Sequence, residues 1–188
     1  MKETQALIEC LLHPDTQAFW QAHIHDDPFV LSHRAEHYPG LPVQAVAQQI
    51  ERHRRVADKL PTWAASTRLL LPPLLSLEQA SSEQTAAFKR FLVEKHYGLK
   101  GGWGAELTGG LGVDSFYLSA IFERWHYVEQ QAELCVLATH NFCELGRQQL
   151  HTFCAGAEDF LQQTTENYTL IYLDPARRAA HRKVWALQ

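Results

Sequence analysis

No stretch of this 188-residue sequence is apolar for the roughly 18 to 20 residues that a membrane-spanning helix needs. The opening Met-Lys-Glu-Thr also lacks the apolar region of a secretory signal, so a cytoplasmic protein with no membrane partner is expected. Cysteine is scarce: Cys10, Cys135, Cys143 and Cys154 show no C-x-x-C spacing and no pairing pattern, and are expected to be reduced, mostly buried small hydrophobes. Excess positive charge is missing too. A net charge of −4 and a pI near 6.2 give no global attraction to phosphate backbones, so any nucleic-acid contact must come from local basic patches. Repeats and low-complexity tracts are absent. What is present is a globular composition, 46% hydrophobic and 20% charged, long enough for one sizeable domain or a small domain plus an appendage. Histidine is abundant, at 11 residues. His23, His25, Asp26, Asp27, His33 and His37 could be drawn as a metal site, but nothing regular in that polar stretch converges them, and no metal is expected.

Residues 1–98 read as helical. Ala6, Leu7, Cys10 and Leu11 form one apolar stripe, and Ala18, Phe19 and Ala22 begin another after an Asp15 cap. Val43, Val46, Ile50, Ala57 and Leu60 recur at helical spacing between Pro42 and Pro61, with Arg52, Arg54, Arg55 and Lys59 on the outer face. Leu69 to Leu75, interrupted by Pro72 and Pro73, reads as a packed connector. Ser81 or Ser82 then caps a helix to about Tyr97, with Phe88, Phe91 and Leu92 expected inward. Gly98, Gly101, Gly102 and Gly104 mark the boundary to a second unit, 99–188.

In that unit short strand-like runs alternate with helices, the texture of a parallel βαβ sheet. Strands are expected at Ala105–Thr108, His126–Glu129, Leu150–Cys154 and Thr169–Leu173. Glu106-Leu107-Thr108-Gly109-Gly110-Leu111-Gly112-Val113-Asp114 reads as a strand turning tightly into a helix, a turn where backbone N–H groups can approach a polar or anionic ligand. The same pattern also closes ordinary turns. The carboxyl ends of parallel strands share one edge, where ligands bind, and Glu106, Glu129, Glu158 with Asp159, and Asp174 all fall there. Glu129 follows Gly112 near the offset of about 20 residues at which an acid reaches the ribose of a nucleotide held by such a loop.

ELTGGLGVDSF, YVEQ, THNFCELG and YLDPARR, together with EQASSEQTAAFK and KLPTW, resemble class I S-adenosylmethionine-dependent methyltransferases, and most closely a THUMP-like methyltransferase branch. The resemblance implies a Rossmann-like sheet with S-adenosylmethionine as cofactor. It places Glu106 at the methionine ammonium, Gly109, Gly110 and Gly112 along the methionine portion, Glu129 at the ribose hydroxyls and Glu158 near adenine. Thr108 stands where the commonest pattern has its first glycine, and Asp114 closes the motif. Asp174, Pro175 and Arg177 occupy the place of the Asp-Pro-Pro-aromatic motif of amino-methyltransferases, but Ala176 and Arg177 replace its proline and ring. Asp174 would orient the acceptor, and Arg177 or Arg178 would grip a phosphate or carboxylate. RNA is the acceptor class the resemblance favours.

A complete class I fold has seven strands, whereas this sequence ends soon after a fourth. The expected fold is therefore α/β: an N-terminal helical domain (1–98) and a partial Rossmann-like sheet of about four strands (99–188), the N-terminal portion of a longer enzyme. Its fourth strand would be an edge open to self-association. Two other readings stay open at this level: a non-catalytic nucleotide-binding or assembly module built on a degenerate half-fold, and, less favoured, a dinucleotide oxidoreductase, whose G-x-G-x-x-G the loop does not match.

Overall fold

The computed structural model describes residues 2–174 and, beyond them, only the backbone pairing of Arg178–Ala179 with Arg182–Lys183. Helices come first. The break between α1 (Lys2–Leu12) and α2 (Pro14–His23) falls at His13-Pro14, since proline has no N–H with which to continue a helix. The cap of α2 is His13, whose ring accepts the Asp15 N–H at 3.3 Å; Asp15 lies in the first turn instead of capping it. α3 (Pro28–His33) is capped by Asp27, which accepts from Phe29 and Val30 N–H. α4 (Val43–Val56) buries Val43, Val46, Ala47 and Ile50, and ends at Val56 rather than running on to Leu60.

α5 (Pro61–Ala64) leads to Leu69, Leu70 and Leu71, all buried as the connector reading expects. α6 (Leu74–Gln79), which the sequence did not announce, starts directly after the two prolines. α7 (Glu83–Phe91) is capped by Ser82, which accepts the Thr85 N–H at 3.1 Å, and continues into a single π-helical turn at Leu92–His96. Phe88 and Phe91 are 58% and 54% exposed, so the expectation that they point inward is wrong. Polar anchors set the phase of this helix. Glu83 accepts the N–H and O–H of Thr62 and the O–H of Tyr117, and Lys89 donates to Asp114, which turns the Glu83, Ala86 and Lys89 face inward.

The second half alternates strand and helix: β1 (Trp103–Glu106), α8 (Val113–Leu118), β2 (Arg124–Glu129), α9 (Ala132–Glu144), β3 (Leu150–Cys154), α10 (Ala157–Gln163) and β4 (Tyr168–Tyr172). All pairings in this sheet are parallel, in the order β3-β2-β1-β4. β1 begins at Trp103 rather than Ala105 and ends at Glu106, leaving Leu107 and Thr108 in the loop. The central strands β1 and β2 are covered on both faces, while Phe153 of β3 and Ile171 of β4 stay exposed on the α10 side. Trp125 and Tyr127 of β2 pack with Leu118, Ala138 and Phe142 on one side, while Ala105, Leu107 and Val128 pack with Phe160 of α10 on the other.

The helical half packs against α9 and the loop after β1. Leu137 joins the cluster built by α1, α2 and α4, and Leu111 and Val113 join the one containing Trp63, Leu71 and Leu77. Between these clusters Asn141 of α9 is fully buried, accepting the Leu70 N–H at 2.9 Å and donating to the Leu70 carbonyl at 2.8 Å. Of the cysteines, Cys135 is buried, whereas Cys10, Cys143 and Cys154 are exposed, against the expectation of general burial. Among the described residues no helix is long and apolar enough to cross a membrane.

Candidate functional site

The loop from Thr108 to Gly112 is shaped by what lies beneath it. A Cβ on Gly109 would stand 2.2 Å from the Tyr127 ring, and one on Gly112 would stand 2.4 Å from that of Phe142. Gly112 also has φ +85°, a left-handed conformation that side-chain-bearing residues rarely adopt. The Tyr127 hydroxyl donates to the Gly110 carbonyl, fixing the loop from below. Above, a Cβ on Gly110 would meet nothing within 4 Å, so this turn is open on its outer side.

Glu129, at the end of β2, is 7% exposed and locked in orientation. Its Oε2 accepts the Gly110 N–H and its Oε1 the Gln131 N–H, each at 2.8 Å. A carboxylate oxygen has a second lone pair, so both remain able to accept a hydroxyl. The loop and the acid at the end of the neighbouring strand, linked only by their spacing in the sequence, are thus directly bonded.

Glu106, at the end of β1, is 2% exposed. Ser115 O–H donates to its Oε2, and Trp125 Nε1–H donates to Ser115 Oγ at 2.8 Å. Burial, reinforced by the charge of Asp114, holds the Glu106 carboxyl well above the usual carboxylate range. Next to it the first turn of α8 carries Asp114, whose Oδ2 receives Lys89 Nζ at 2.7 Å and Ser81 O–H at 2.8 Å. Burial alone would lower the Lys89 ammonium, but the hydrogen bond to Asp114 and the charge of that carboxylate help outweigh it and hold it above its ordinary value. Lys89 Nζ also lies 5.0 Å over the Tyr172 ring and 3.7 Å from Asp174.

Asp174 follows β4, its backbone N–H held by Thr108 Oγ1 at 2.8 Å while its side chain stays 55% exposed. Glu106, Thr108, Gly109, Gly110, Gly112, Asp114, Glu129 and Asp174 therefore gather on one edge. Glu158 does not join them in any bond: it is exposed in the first turn of α10, with no hydrogen bond to the other residues. Pro175 and Arg177 lie outside the described residues. Sequence reasoning missed Lys89, Ser81 and Ser115 as parts of this cluster. Ser81 and Lys89 both stand in EQASSEQTAAFK, a segment that was read as a capped helix and supported the resemblance without being given a role at the site.

The basic residues of α4 and of the turn after it are largely committed elsewhere. Arg52 donates to the Leu71 carbonyl, Arg54 to those of Ile24 and Asp26, and Lys59 to those of Leu77 and Glu78. Cavities of about 400 and 190 Å³ lie in the helical half, lined in part by Ser32, His33 and Glu36 and by Asp26, Arg34 and Tyr38. Neither touches the strand edge. Converging acids, an open glycine turn and a perturbed carboxyl single out the strand edge.

No protein-family model and no curated protein sequence matches the chain. Among solved structures, a crystal structure named as a putative methyltransferase from Porphyromonas gingivalis superposes with a TM-score of 0.72 and 29% identity, covering 94% of this chain and 41% of that one. The fold is methyltransferase-like. The chain thus spans well under half the length of the protein it resembles in structure. A second crystal structure, of a putative methyltransferase from Streptococcus mutans in complex with S-adenosylhomocysteine, has a TM-score of 0.38 and 15% identity over 44% of this chain, too distant to bear on it.

Proposed function

We propose that this chain is the cofactor-binding portion of an S-adenosylmethionine-dependent methyltransferase of the THUMP-like branch, with RNA as the favoured acceptor. The observation that carries the reading is Glu129, buried, fixed by the Gly110 N–H, and still able to accept hydroxyls beside an open glycine turn. The residues fit the cofactor at both ends. Glu129 suits the ribose, and Asp114 Oδ1, buried without a hydrogen-bond partner, suits an ammonium. When bound, S-adenosylmethionine supplies a carbon already activated by its sulfonium, so the protein's task is placement and exclusion of water.

In this reading Glu129 accepts the ribose hydroxyls, and the turn from Gly109 to Gly112 lets the ligand approach the backbone closely. Glu106 and Asp114 receive the ammonium. Asp174, held by Thr108 and exposed at the end of β4, orients the acceptor. Pro175 and Arg177, which follow Asp174 in the sequence, share its role toward the acceptor, and Glu158 reaches toward adenine. The division into a helical unit, 1–98, and a sheet unit, 99–188, self-association through the β4 edge and a cytoplasmic location belong to the same proposal. Exposed Ile171 and Leu173 at that edge support the self-association.

Calorimetric titration with S-adenosylmethionine and S-adenosylhomocysteine is the test. The wild-type chain is expected to bind both, and Glu129→Ala to bind about tenfold or more weakly, from loss of hydrogen bonds to a charged acceptor worth about 1.5–3 kcal/mol. Equal affinity in the variant would remove Glu129 from the site. Absence of wild-type binding to either ligand at millimolar concentration would favour the non-catalytic module.

A further inference from the structure

The sheet order β3-β2-β1-β4 places the chain's reversal of direction between β1 and β4, the crevice where ligands of open parallel sheets bind. Lys89 reaches into that crevice from α7, on the helical half. Its ammonium bonds Ser81 Oγ at 2.9 Å and Asp114 Oδ2 at 2.7 Å, and it approaches Asp174 from β4. We propose that Lys89 is a positioning residue of the strand-edge site, holding Asp114 and the β4 end in place for the amino-acid tail of an S-adenosyl ligand. This inference rests on the cofactor reading above and assigns the helical half a share in that site.

An ordinary clamp between two layers would explain the Lys89–Asp114 pair but not its surroundings. Asp114 is 7% exposed, and its Oδ1 is buried with no partner. Buried carboxylate oxygens are almost always bonded, because an unsatisfied one loses its hydration for nothing. One acceptor is therefore left for an incoming N–H donor. Charge points the same way: the carboxylates of Asp114 and Asp174 both face the Lys89 ammonium, two acids to one cation, so a second cation is favoured there.

The arrangement also has a direction. Glu129 lies under the β2 side of the glycine turn and Lys89 with Asp114 on the β1–β4 side, so a ligand with its sugar at Glu129 and its amino-acid tail at Asp114 crosses the turn between them. Lys89 fixes the rotamer of Asp114 through Oδ2, which leaves Oδ1 for the ligand. The segment Ser81 to Lys89 thereby ties the helical half to ligand binding.

The inference is tested by titrating wild type, Lys89→Met and Lys89→Arg with S-adenosylmethionine, S-adenosylhomocysteine and 5′-methylthioadenosine, which keeps the adenosine and sulfur but lacks the amino-acid tail. Lys89→Met is expected to weaken the two tailed ligands by about tenfold or more while leaving methylthioadenosine within about twofold, and Lys89→Arg to restore part of the loss. Equal loss for all three ligands, or no loss for any, overturns the inference. Should Lys89→Met fail to fold, Lys89→Gln, which keeps a donor without the charge, carries the same tail-selective expectation, and its failure to discriminate among the ligands is equally decisive. A wild-type chain that binds none of the three overturns the cofactor reading itself, whereas binding that Lys89→Met leaves intact overturns only the role of Lys89.

Discussion

Burial leaves Glu106 with a carboxyl group that holds its proton far more tightly than an exposed one. The unfolded chain titrates this group near 4.5 and the folded chain well above it, so between those values the native state binds more protons. Its contribution to stability is complete below about pH 4.5 and is lost as pH rises through the folded value. Glu106→Gln, which keeps the acceptor for Ser115 O–H but cannot ionise, is expected to flatten the fall in stability as pH rises above about 4.5. Denaturant melts across that range test this, and parallel slopes in variant and wild type would contradict it. The importance of Glu106 was legible because an acid closing an apolar run before a glycine turn is conspicuous. Lys89 was not legible, since nothing in its own segment announces that the chain will bring it to Asp114. A lysine on a helix is ordinary until its partner is known.

Elements were read more easily than their ends and faces. β3 ran over the expected residues although only Leu150 of it is buried, and α9 was visible in Leu134, Leu137, Ala138 and Phe142, because an amphipathic helix writes its period into the chain. α7 shows where this fails. Its inward side is set by Glu83 and Lys89, and hydrophobic periodicity has no way to register a helix phased by buried polar anchors. The glycine turn is the reverse case, where local sequence and tertiary packing agree. Gly112→Ala would strain a left-handed residue and drive a methyl group against Phe142. A loss of about 1–3 kcal/mol is expected, readable as a lowered urea midpoint with unchanged slope. Gly110→Ala serves as its control. That residue also has a positive φ but meets open space, so only the backbone strain remains and the loss should be the smaller of the two. Similar losses at both positions would show that the Phe142 contact does not shape the turn.

At the scale of the molecule, the change of texture near Gly98 suggests a boundary, while the packing runs across it. Leu137, Leu111 and Val113 belong to clusters built mainly by the helical half, and Trp63 packs edge-on to Phe116 at 5.1 Å. Arg68 adds a paired contact to Glu144 at the surface, which contributes little by itself. Asn141 is a stronger tie, since replacing it by alanine strands a buried N–H and a buried carbonyl of Leu70, each costing about 1–3 kcal/mol. None of this is readable from composition, because the partners lie far apart along the chain. If the two halves depend on one another, they unfold together. Trp20 and Trp63 report on the helical half, and Trp103 and Trp125 on the sheet. Two variants, each with one of these pairs and Trp185 replaced by phenylalanine, are expected to give the same urea midpoint by fluorescence as by circular dichroism. Asn141→Ala should shift both probes downward by the same amount, since the lesion sits in the contact the halves share. A midpoint that moves for the helical tryptophans alone would instead mean that the sheet stands without its helical cover, and that Lys89 reaches a site that is already built.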